Sequence, residues 1–414
     1  MIPANQIRIA MLSAHSCPVG YLGTKDTGGM SVYIRELASE LGKQGHLVDV
    51  YTRVHDPEDH QIYELGQNAR LIHLRAGEDE QINKLAVYSY LPDFACNLEN
   101  FRKHNNLRYD LVYSNYWLSG WVGKYLQRWW DIPHIITFHT LGAVKNTFGI
   151  GEDEPALRIE TERDLVRSCH HIIATTVKEK EALTLHYDAL PERIGVVPCG
   201  VNLELFQPID REVARQQLGL TDDKVILFVG RIEPLKGIEQ LLKAVSYLTD
   251  IQGLRLIIVG GDEYSQYEME RLQKLSHDLN IHQSVNFPGV VKHEKLPYYY
   301  SAADVCVIAS YYESFGLVAL ESLACGTPVV ATDVGNLKSI IRQEEAGYIV
   351  PDNNPASLAE KIVLILSRPR PDTSSTQSIR ASVGEFSWLN IAEAIARECQ
   401  LVLANYMVPV SEFD

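Results

Sequence analysis

Residues 225–237 read VILFVGRIEPLKG, a short apolar run followed by a loop that carries two cations. An apolar run of this length, rich in β-branched residues and bounded by glycine, predicts a buried strand. Similar runs alternate with segments of helical period along the rest of the chain. This alternation predicts an α/β protein in which helices cover both faces of parallel sheets.

The N-terminal half shows the same alternation of strands and helices. After its first strand and a glycine-containing loop, the apolar positions Met30, Ile34, Leu37, Ala38 and Leu41 have the spacing of one helical face. The strands predicted in this half are Ile7–Leu12, Leu47–Tyr51, Leu71–Leu74, Leu111–Tyr113, Ile135–Phe138 and Ile172–Thr175. In the second half they are Val225–Val229, Leu256–Val259, Val285–Phe287, Val305–Ala309, Val329–Ala331 and Tyr348–Val350.

The length of 414 residues exceeds what a single hydrophobic core usually supports. We therefore predict two Rossmann-like domains facing each other across a cleft, joined in the segment 198–208, which prolines and a glycine interrupt. The predicted boundaries are 1–203 for the N-terminal domain and 204–385 for the C-terminal domain. A helical pattern from about Trp388 to Tyr406 predicts that residues 386–414 form a C-terminal helix that packs back on the N-terminal domain.

Charge and cysteine content restrict the classes of function. Lys and Arg number 38 against 53 Asp and Glu, and a net charge of -15 argues against broad binding of nucleic acid or anionic lipid. Seven scattered cysteines without a C-x-x-C pair suggest neither a zinc site nor a disulfide framework. Without a signal-peptide pattern or a long apolar run, we expect a cytoplasmic protein. Peripheral membrane contact and a homodimer stay open.

Two cations follow the strand at 225–229 at a spacing of five residues. Arg231 offers a bidentate fork and Lys236 a mobile point charge, a combination suited to a pyrophosphate and to its stabilisation as it leaves. Such a pair is also compatible with an ordinary solvated surface. Gly28 and Gly29, just before the first predicted helix, provide backbone N–H groups that a phosphate can approach, although a tight turn alone explains a glycine pair.

A third motif follows the strand at 305–309 and reads ESFGLVALE over residues 313–321. Its two carboxylates, Glu313 and Glu321, flank a predicted helix start, and eight helical residues span about 12 Å. That length suits a sugar, a pyrophosphate and a ribose laid end to end. Two glutamates on a helix are common by chance. Together with the loop that carries Arg231 and Lys236, however, the pair indicates a binding site.

Together these motifs, with CGTPVVA at 325–331, resemble the retaining glycosyltransferases of the GT-B fold, family 4, over nearly the whole chain. Within that family, GGMSVYIRELA at 28–38, SNYWLSGWVG at 114–123 and TFHTLGAVKN at 137–146 are similar to the D-inositol-3-phosphate glycosyltransferases and the sucrose-phosphate synthases. Two positions depart from the pattern. Ser31 stands where the inositol-phosphate enzymes usually carry Asn, and Asn336 follows Gly335 where the family often has a second glycine.

The resemblance implies a role for each matching residue. On the donor side, Arg231 and Lys236 hold the pyrophosphate and Glu313 holds the sugar hydroxyls. The remaining implied donor contacts are the ribose at Glu321 and the phosphates at Gly29, Phe315, Gly316, Leu317 and Val318. The implied acceptor contacts are Ser31, Lys84, Tyr116, Thr140 and Arg158, with His139 beside the reacting carbon.

The resemblance further implies a UDP-sugar donor carrying glucose or N-acetylglucosamine, retention of configuration, and a phosphorylated polyol or sugar acceptor such as inositol phosphate. Fructose 6-phosphate, the acceptor of a sucrose-phosphate synthase, is the alternative. The chain has no convincing Asp-x-Asp motif, so we predict no cofactor and no essential metal. A hydrolase, an epimerase, a phosphorylase or a silent nucleotide-sugar binder fits the motif set less well.

Overall fold

A computed structural model describes residues 6–20, 28–78, 82–151, 153–262, 265–369 and 372–406. The first sheet has the strand order β3-β4-β2-β1-β5-β6-β7-β8, in which only the pairing of β3 with β4 is antiparallel. Its strands are β1 (Arg8–Ser13), β2 (Leu47–Arg53), β3 (Ile62–Gly66), β4 (Ala69–Leu74), β5 (Leu111–Asn115), β6 (His134–Thr137), β7 (His171–Ala174) and β8 (Ile194–Val196).

The second sheet is parallel throughout, with the order β11-β10-β9-β12-β13-β14. Its strands are β9 (Lys224–Val229), β10 (Leu254–Val259), β11 (Val285–Gly289), β12 (Val305–Ile308), β13 (Val329–Thr332) and β14 (Gly347–Val350). Two parallel-sheet α/β units are therefore present, as the strand and helix pattern predicts. Every strand predicted from the sequence is found; β3 and β8 were not predicted.

Helices connect the strands and cover the sheets. Those of the first half are α1 (Gly29–Lys43), α2 (Lys84–His104), α3 (Tyr116–Trp130), α4 (Gly142–Asn146), α5 (Ala156–Ser168) and α6 (Val177–Tyr187). Those of the second are α7 (Arg211–Gln217), α8 (Ile238–Ser246), α9 (Gln266–Asp278), α10 (Leu296–Ala302), α11 (Leu317–Ala324), α12 (Leu337–Ile340), α13 (Pro355–Leu366), α14 (Thr373–Ala381) and α15 (Trp388–Tyr406). None of the helices in these described stretches is both long and apolar enough to cross a membrane.

Helix α15 follows the second sheet in the chain but lies against the first. Gln44 donates a hydrogen bond to the Leu389 carbonyl (3.1 Å), and Tyr406 donates one to Asp131 (2.9 Å). The Trp388 ring meets Tyr33 of α1 edge to face at 5.5 Å between centroids. These contacts fix α15 at both of its ends. Residues 407–414, which belong to the predicted C-terminal segment, lie outside the described residues.

The chain passes between the two sheets at two points that lie side by side. Val201 of the first passage and Ser387 of the second form a parallel β-bridge. Arg380 of α14 donates hydrogen bonds to the carbonyls of Leu203, Phe206 and Ala324, each at 2.6 Å. One guanidinium thus ties the first passage to the helices of the second sheet.

Candidate active site

A cavity of about 320 Å³ lies between the two units, lined from both sides by segments that follow the carboxyl ends of strands. Ligands of open α/β sheets bind at such ends. The structure brings most of the predicted site residues to this cavity. Its wall includes Gly29, Lys84, Tyr116, His139, Thr140, Arg231, Lys236, Glu313, Phe315, Gly316, Leu317, Val318 and Glu321. Ser31 and Arg158 are not part of the wall.

Lys236 and Glu313 form an ion pair in the cavity, with Nζ 2.7 Å from Oε2. Their side chains are only 17% and 18% exposed, which limits screening of the pair by solvent. Lys236 ends a short 3-10 turn that is followed by Gly237 at φ +66°, where a β-carbon would come within 1.9 Å of the Ala309 carbonyl oxygen. Glycine is required there, and this requirement fixes the direction in which Lys236 leaves the turn.

Arg231 is the more exposed of the two cations. Its Nη2 atom lies 3.0 Å from Oε1 of Glu233, and its side chain is 40% exposed. Burial would raise the pKa of Glu233, but the charges of Arg231 and Lys236 outweigh burial and lower it. Glu233 therefore stays ionised and holds the guanidinium at the cavity wall without enclosing it.

Two helices begin at the cavity and face each other across it. Helix α11 starts at Leu317 after Gly316, which has φ +113°, and α1 starts at Gly29. A β-carbon added to Gly29 would lie 3.1 Å from Cδ1 of Leu317. The unpaired N–H groups and the dipole of a helix N-terminus attract anions. The approach of two such ends makes this part of the cavity suited to phosphate groups.

Glu321 lies one helical turn inside α11 and is nearly buried. The Tyr300 hydroxyl donates a hydrogen bond to its Oε2 atom at 2.7 Å, and Nε2 of His293 lies 3.6 Å from its Oε1 atom. Burial and then the charge of Glu321 raise the pKa of Tyr300, so the phenol stays protonated as a donor. Glu321 is thus held as an acceptor for hydroxyl groups at the cavity wall.

On the opposite wall, Tyr116 and His139 have left-handed backbone conformations, with φ of +76° and +61°. Non-glycine residues held this way are strained and cluster at functional sites. Nε2 of His139 donates to Oδ1 of Asn115 (2.9 Å), whose amide in turn donates to the Leu12 carbonyl (3.3 Å). Burial lowers the pKa of His139 to about 3, so the imidazole is neutral.

We refer to the wall formed by the first unit, which includes Lys84, Tyr116, His139 and Thr140, as the acceptor wall, after the contacts that the resemblance implies. Arg158 lies directly behind it, although the resemblance implied a direct contact between Arg158 and the acceptor. It pairs with Glu162 (2.7 Å) and Glu154 (2.8 Å), and its side chain is 2% exposed. Its guanidinium donates to the carbonyl and hydroxyl oxygens of Thr140 and lies 4.8 Å from the centre of the Tyr116 ring. In this conformation Arg158 positions two wall residues.

Ser31 is also buried behind the wall, where its hydroxyl and that of Ser16 share a hydrogen bond of 2.6 Å. The smaller serine at this position therefore leaves its polar atom inside the protein.

Sequence reasoning missed several residues of the wall. The ring of His15 packs against that of Tyr116 in a tilted arrangement, with centroids 4.6 Å apart, and its Nδ1 atom has no hydrogen-bond partner among the described residues. Lys145 of α4 also lines the cavity. His15 follows the carboxyl end of β1, so the rule that places ligands at such ends could have identified it. Lys145 lies within the quoted TFHTLGAVKN motif but was not singled out.

The fold and the site together define a glycosyltransferase of the GT-B class: two facing parallel-sheet units, with cations and helix N-termini lining the cavity between them. Residues 27–205 match the family described as Glycosyltransferase Family 4, and residues 210–381 match Glycosyl transferases group 1. The chain belongs to this glycosyltransferase family and is an enzyme that transfers sugar. The predicted fold class and family are thereby confirmed.

Relatives and solved structures agree with this assignment. The chain is 37% identical over 409 residues to the D-inositol 3-phosphate glycosyltransferase of Corynebacterium glutamicum, covering 96% of this chain and 98% of that protein. The structure of a sucrose-phosphate synthase from Thermosynechococcus elongatus is 34% identical, with a TM-score of 0.87 and coverage of 97% and 100%. Anabaena HepE, in complex with UDP and glucose, shares the fold at 20% identity, with a TM-score of 0.74 and coverage of 96% and 100%.

Proposed function

We propose that this protein transfers a hexose, glucose or N-acetylglucosamine, from a UDP-sugar to a phosphorylated polyol or sugar such as inositol phosphate, with retention of configuration. The observation that carries the proposal is the Lys236 and Glu313 pair beside the facing starts of α1 and α11. A cation and a carboxylate held together can serve the two ends of one donor: its phosphate and its sugar hydroxyls.

Departure of the nucleotide requires stabilisation of the negative charge that builds up on the β-phosphate. Arg231, Lys236 and the N–H groups at the start of α11 supply positive charge at fixed positions in the cavity wall. Preorganised charge of this kind is able to replace a divalent cation in that task. We therefore propose that transfer needs no metal in the donor site.

The distribution of carboxylates supports retention by attack from the same face as the departing phosphate. The carboxylates in the described wall of the cavity, Glu233, Glu313 and Glu321, all come from the second half of the chain. His139, on the opposite wall, is neutral but uses its Nε2 proton on Asn115. The donor phosphate oxygen is then the base that takes the acceptor proton while the glycosidic bond forms and the phosphate leaves.

The acceptor wall carries groups suited to a phosphate. Lys84, at the start of α2, and Lys145 line it together with His15, whose Nδ1 atom is unpartnered in the described structure. Two ammonium groups on one wall favour an anionic acceptor over a neutral one. The proteins at 36–38% identity named D-inositol 3-phosphate glycosyltransferase support inositol phosphate as this acceptor.

Sucrose-phosphate synthesis is the second candidate. The structural similarity to a sucrose-phosphate synthase, at 34% identity and a TM-score of 0.87, favours it specifically. That reaction uses the same donor arrangement and replaces inositol phosphate by fructose 6-phosphate. The two candidates differ only in what fits between the acceptor wall and the sugar.

A coupled assay of UDP release tests both candidates. UDP-glucose and UDP-N-acetylglucosamine are each combined with inositol phosphate, fructose 6-phosphate and the corresponding unphosphorylated acceptors, with and without EDTA. We expect release only with a phosphorylated acceptor and no effect of EDTA. Activity confined to unphosphorylated acceptors would overturn the acceptor proposal, and loss of activity in EDTA that Mg²⁺ restores would overturn metal-free transfer.

A further inference from the structure

A second group of chemically versatile side chains lies apart from the cavity wall, beside the strands β1, β2 and β4. These strands are neighbours in the first sheet, and Cys17 and His55 follow the carboxyl ends of β1 and β2, whereas His73 lies near the end of β4. Their ligand atoms all lie within 4.8 Å of one another. We refer to these three residues as the Cys17 cluster.

The distances in the Cys17 cluster fit a tetrahedral metal ion. Sγ of Cys17 lies 3.5 Å from Nε2 of His73. Bond lengths of about 2.3 Å from zinc to sulfur and about 2.05 Å to nitrogen, at the tetrahedral angle, place the two ligand atoms about 3.6 Å apart. Cys17 and His73 are therefore already at the separation that a shared zinc ion requires, and a ligand atom of His55 lies within 4.8 Å of both.

In His55, Nδ1 donates to the Arg53 carbonyl (3.1 Å), which leaves Nε2 as the ligand atom. Asp59 lies beside the cluster and supports this orientation. Its Oδ2 atom lies 3.0 Å from Nδ1 of His55 and 3.8 Å from Nε2 of His73. The same oxygen accepts backbone N–H groups of His55 (3.3 Å) and Asp56 (3.2 Å), which fix its position. One thiol and two imidazoles, with a water molecule in the fourth position, form a donor set suited to zinc.

The hydrogen bonding of His73 leaves its Nε2 atom available to a metal. Nδ1 of His73 donates a hydrogen bond to the His60 carbonyl at 2.9 Å, so Nε2 carries the lone pair that faces Cys17. Hydrogen bonds from the second nitrogen of a ligating histidine to a carbonyl are a regular feature of metal sites. The side chain of His73 is fully buried, and that of Asp59 is only 13% exposed.

We propose that Cys17, His55 and His73 bind one zinc ion, with water in the fourth position, at a site separate from the donor site. The Cys17 thiol gives its proton to the buffer when the sulfur–zinc bond forms. The ion would join the segment after β1 to the segments after β2 and β4. Its role would be to hold these three post-strand segments together.

Zinc and cobalt binding by the untagged full-length chain tests the site. The chain is first stripped with a chelator and then titrated with ZnCl₂ or CoCl₂. We expect one equivalent of zinc by elemental analysis, and with cobalt the absorption bands of a tetrahedral thiolate complex. At a zinc concentration of about 100 Kd, the linkage between binding and folding predicts a rise in Tm of about 3 °C for a chain of this length.

Variants distinguish this site from adventitious binding. Cys17→Ser and His55→Ala should lose the bound equivalent and the rise in Tm, and Cys17→Ser should also lose the thiolate band. Cys96→Ser, at an exposed cysteine, is the matched control and should retain all three signals. His55 is partly exposed, so His55→Ala decides the matter if Cys17→Ser does not fold.

Two results would overturn the proposal. One is wild-type protein that binds less than a tenth of an equivalent of zinc and shows no thiolate band with cobalt. The other is unchanged binding by folded Cys17→Ser or His55→Ala. In either case the 3.5 Å contact between Cys17 and His73 is a simple S–H···N hydrogen bond. Because binding is the readout, the outcome is independent of transfer activity.

Discussion

Nζ of Lys236 lies 2.7 Å from Oε2 of Glu313, so two side chains from different post-strand loops form an ion pair within the cavity. A donor that uses both groups has to enter this pair, with its phosphate approaching the ammonium and its sugar approaching the carboxylate. The pair keeps both side chains oriented toward the site before the donor arrives. The effects of mutating Lys236 and Glu313 on donor binding and on transfer should therefore be non-additive.

Replacement of Lys236 by alanine removes the less exposed cation of the donor site. We expect Lys236→Ala to lower kcat by about 10²–10³-fold, because the loss of one preorganised charge at a developing anion has costs of that size. Steady-state UDP release with saturating donor measures it. Lys243→Ala, which removes a lysine from an exposed pair with Glu239 on α8, is the control. Near-normal turnover by Lys236→Ala would remove the central proposal.

Coupling between the two residues is tested by a double-mutant cycle. Glu313→Gln keeps the shape of the side chain and should lower kcat/KM for the donor. The loss in Lys236→Ala/Glu313→Gln should differ from the sum of the single losses by about 0.5–3 kcal/mol, as for residues in direct contact. The Glu239 and Lys243 pair gives the matched cycle and should show additive effects on transfer. Additive losses at Lys236 and Glu313 would argue that they serve independent steps.

Arg158 is predicted to act on stability as well as on the acceptor wall. Arg158→Met leaves Glu162 and Glu154 without their buried cation, and breaking a buried pair in this way costs about 3–5 kcal/mol. Urea unfolding measures the change in the free energy of unfolding. Arg167→Met, at an exposed position of the same helix α5, should change it by less than about 0.5 kcal/mol. Equal stability of the two variants would contradict a buried ion pair at Arg158.

Buried neutral histidines should make stability fall as the pH decreases. Burial lowers the pKa of His134 to about 3, whereas an unfolded histidine titrates near 6.5. Below about pH 6.5 the histidine is protonated in the unfolded state, whereas in the folded state it stays neutral down to about pH 3. The free energy of unfolding therefore decreases as the pH falls through that window. One such residue contributes about 1.4 kcal/mol between pH 7.5 and 5.5.

The variant His134→Gln should reduce the pH dependence of the free energy of unfolding by that amount. Urea unfolding at pH 7.5 and 5.5 provides the comparison. His104→Gln, at an exposed position at the end of α2, serves as the control and should keep the wild-type difference. An unaltered pH dependence in His134→Gln would mean that His134 has the same pKa in the folded protein as in the unfolded chain.

The hydrophobic pattern was sufficient to predict the strands that are buried in the sheets, but not the edge strands β3 and β8 of the first sheet. β3 alternates exposed and half-buried residues at the edge of the first sheet, and β8 has only three residues, so neither contains an apolar run. The segment around residues 367–378, rich in Pro, Ser and Thr, contains the start of α14, whose Asp372 cap accepts the backbone N–H of Ser375. Capping by a short polar side chain does not appear in a hydrophobic pattern.

The residues proposed to bind the donor reach the cavity as a group because they stand in two short motifs, each of which follows a strand. The proposed acceptor wall was harder to predict, since it combines single residues from the loops after β1 and β6 and from α2, α3 and α4. Arg158 illustrates the difficulty: its spacing of four from Glu162 on α5 equally indicates a helical ion pair, which is what the structure contains. Sequence does not distinguish a residue that touches the substrate from one that holds its neighbour.

Helix α15 has a consequence for exchanging specificity between related enzymes. Trp388 packs on Tyr33, and Glu398 accepts a hydrogen bond from His171 (2.8 Å). The N-terminal unit is therefore covered by α15, the last of the described helices. A chimera with a single crossover after the first passage would join this helix to a foreign surface. Exchange of acceptor preference by recombination should succeed with two crossovers, one near Val201 and one near Ser387, where the strands already touch.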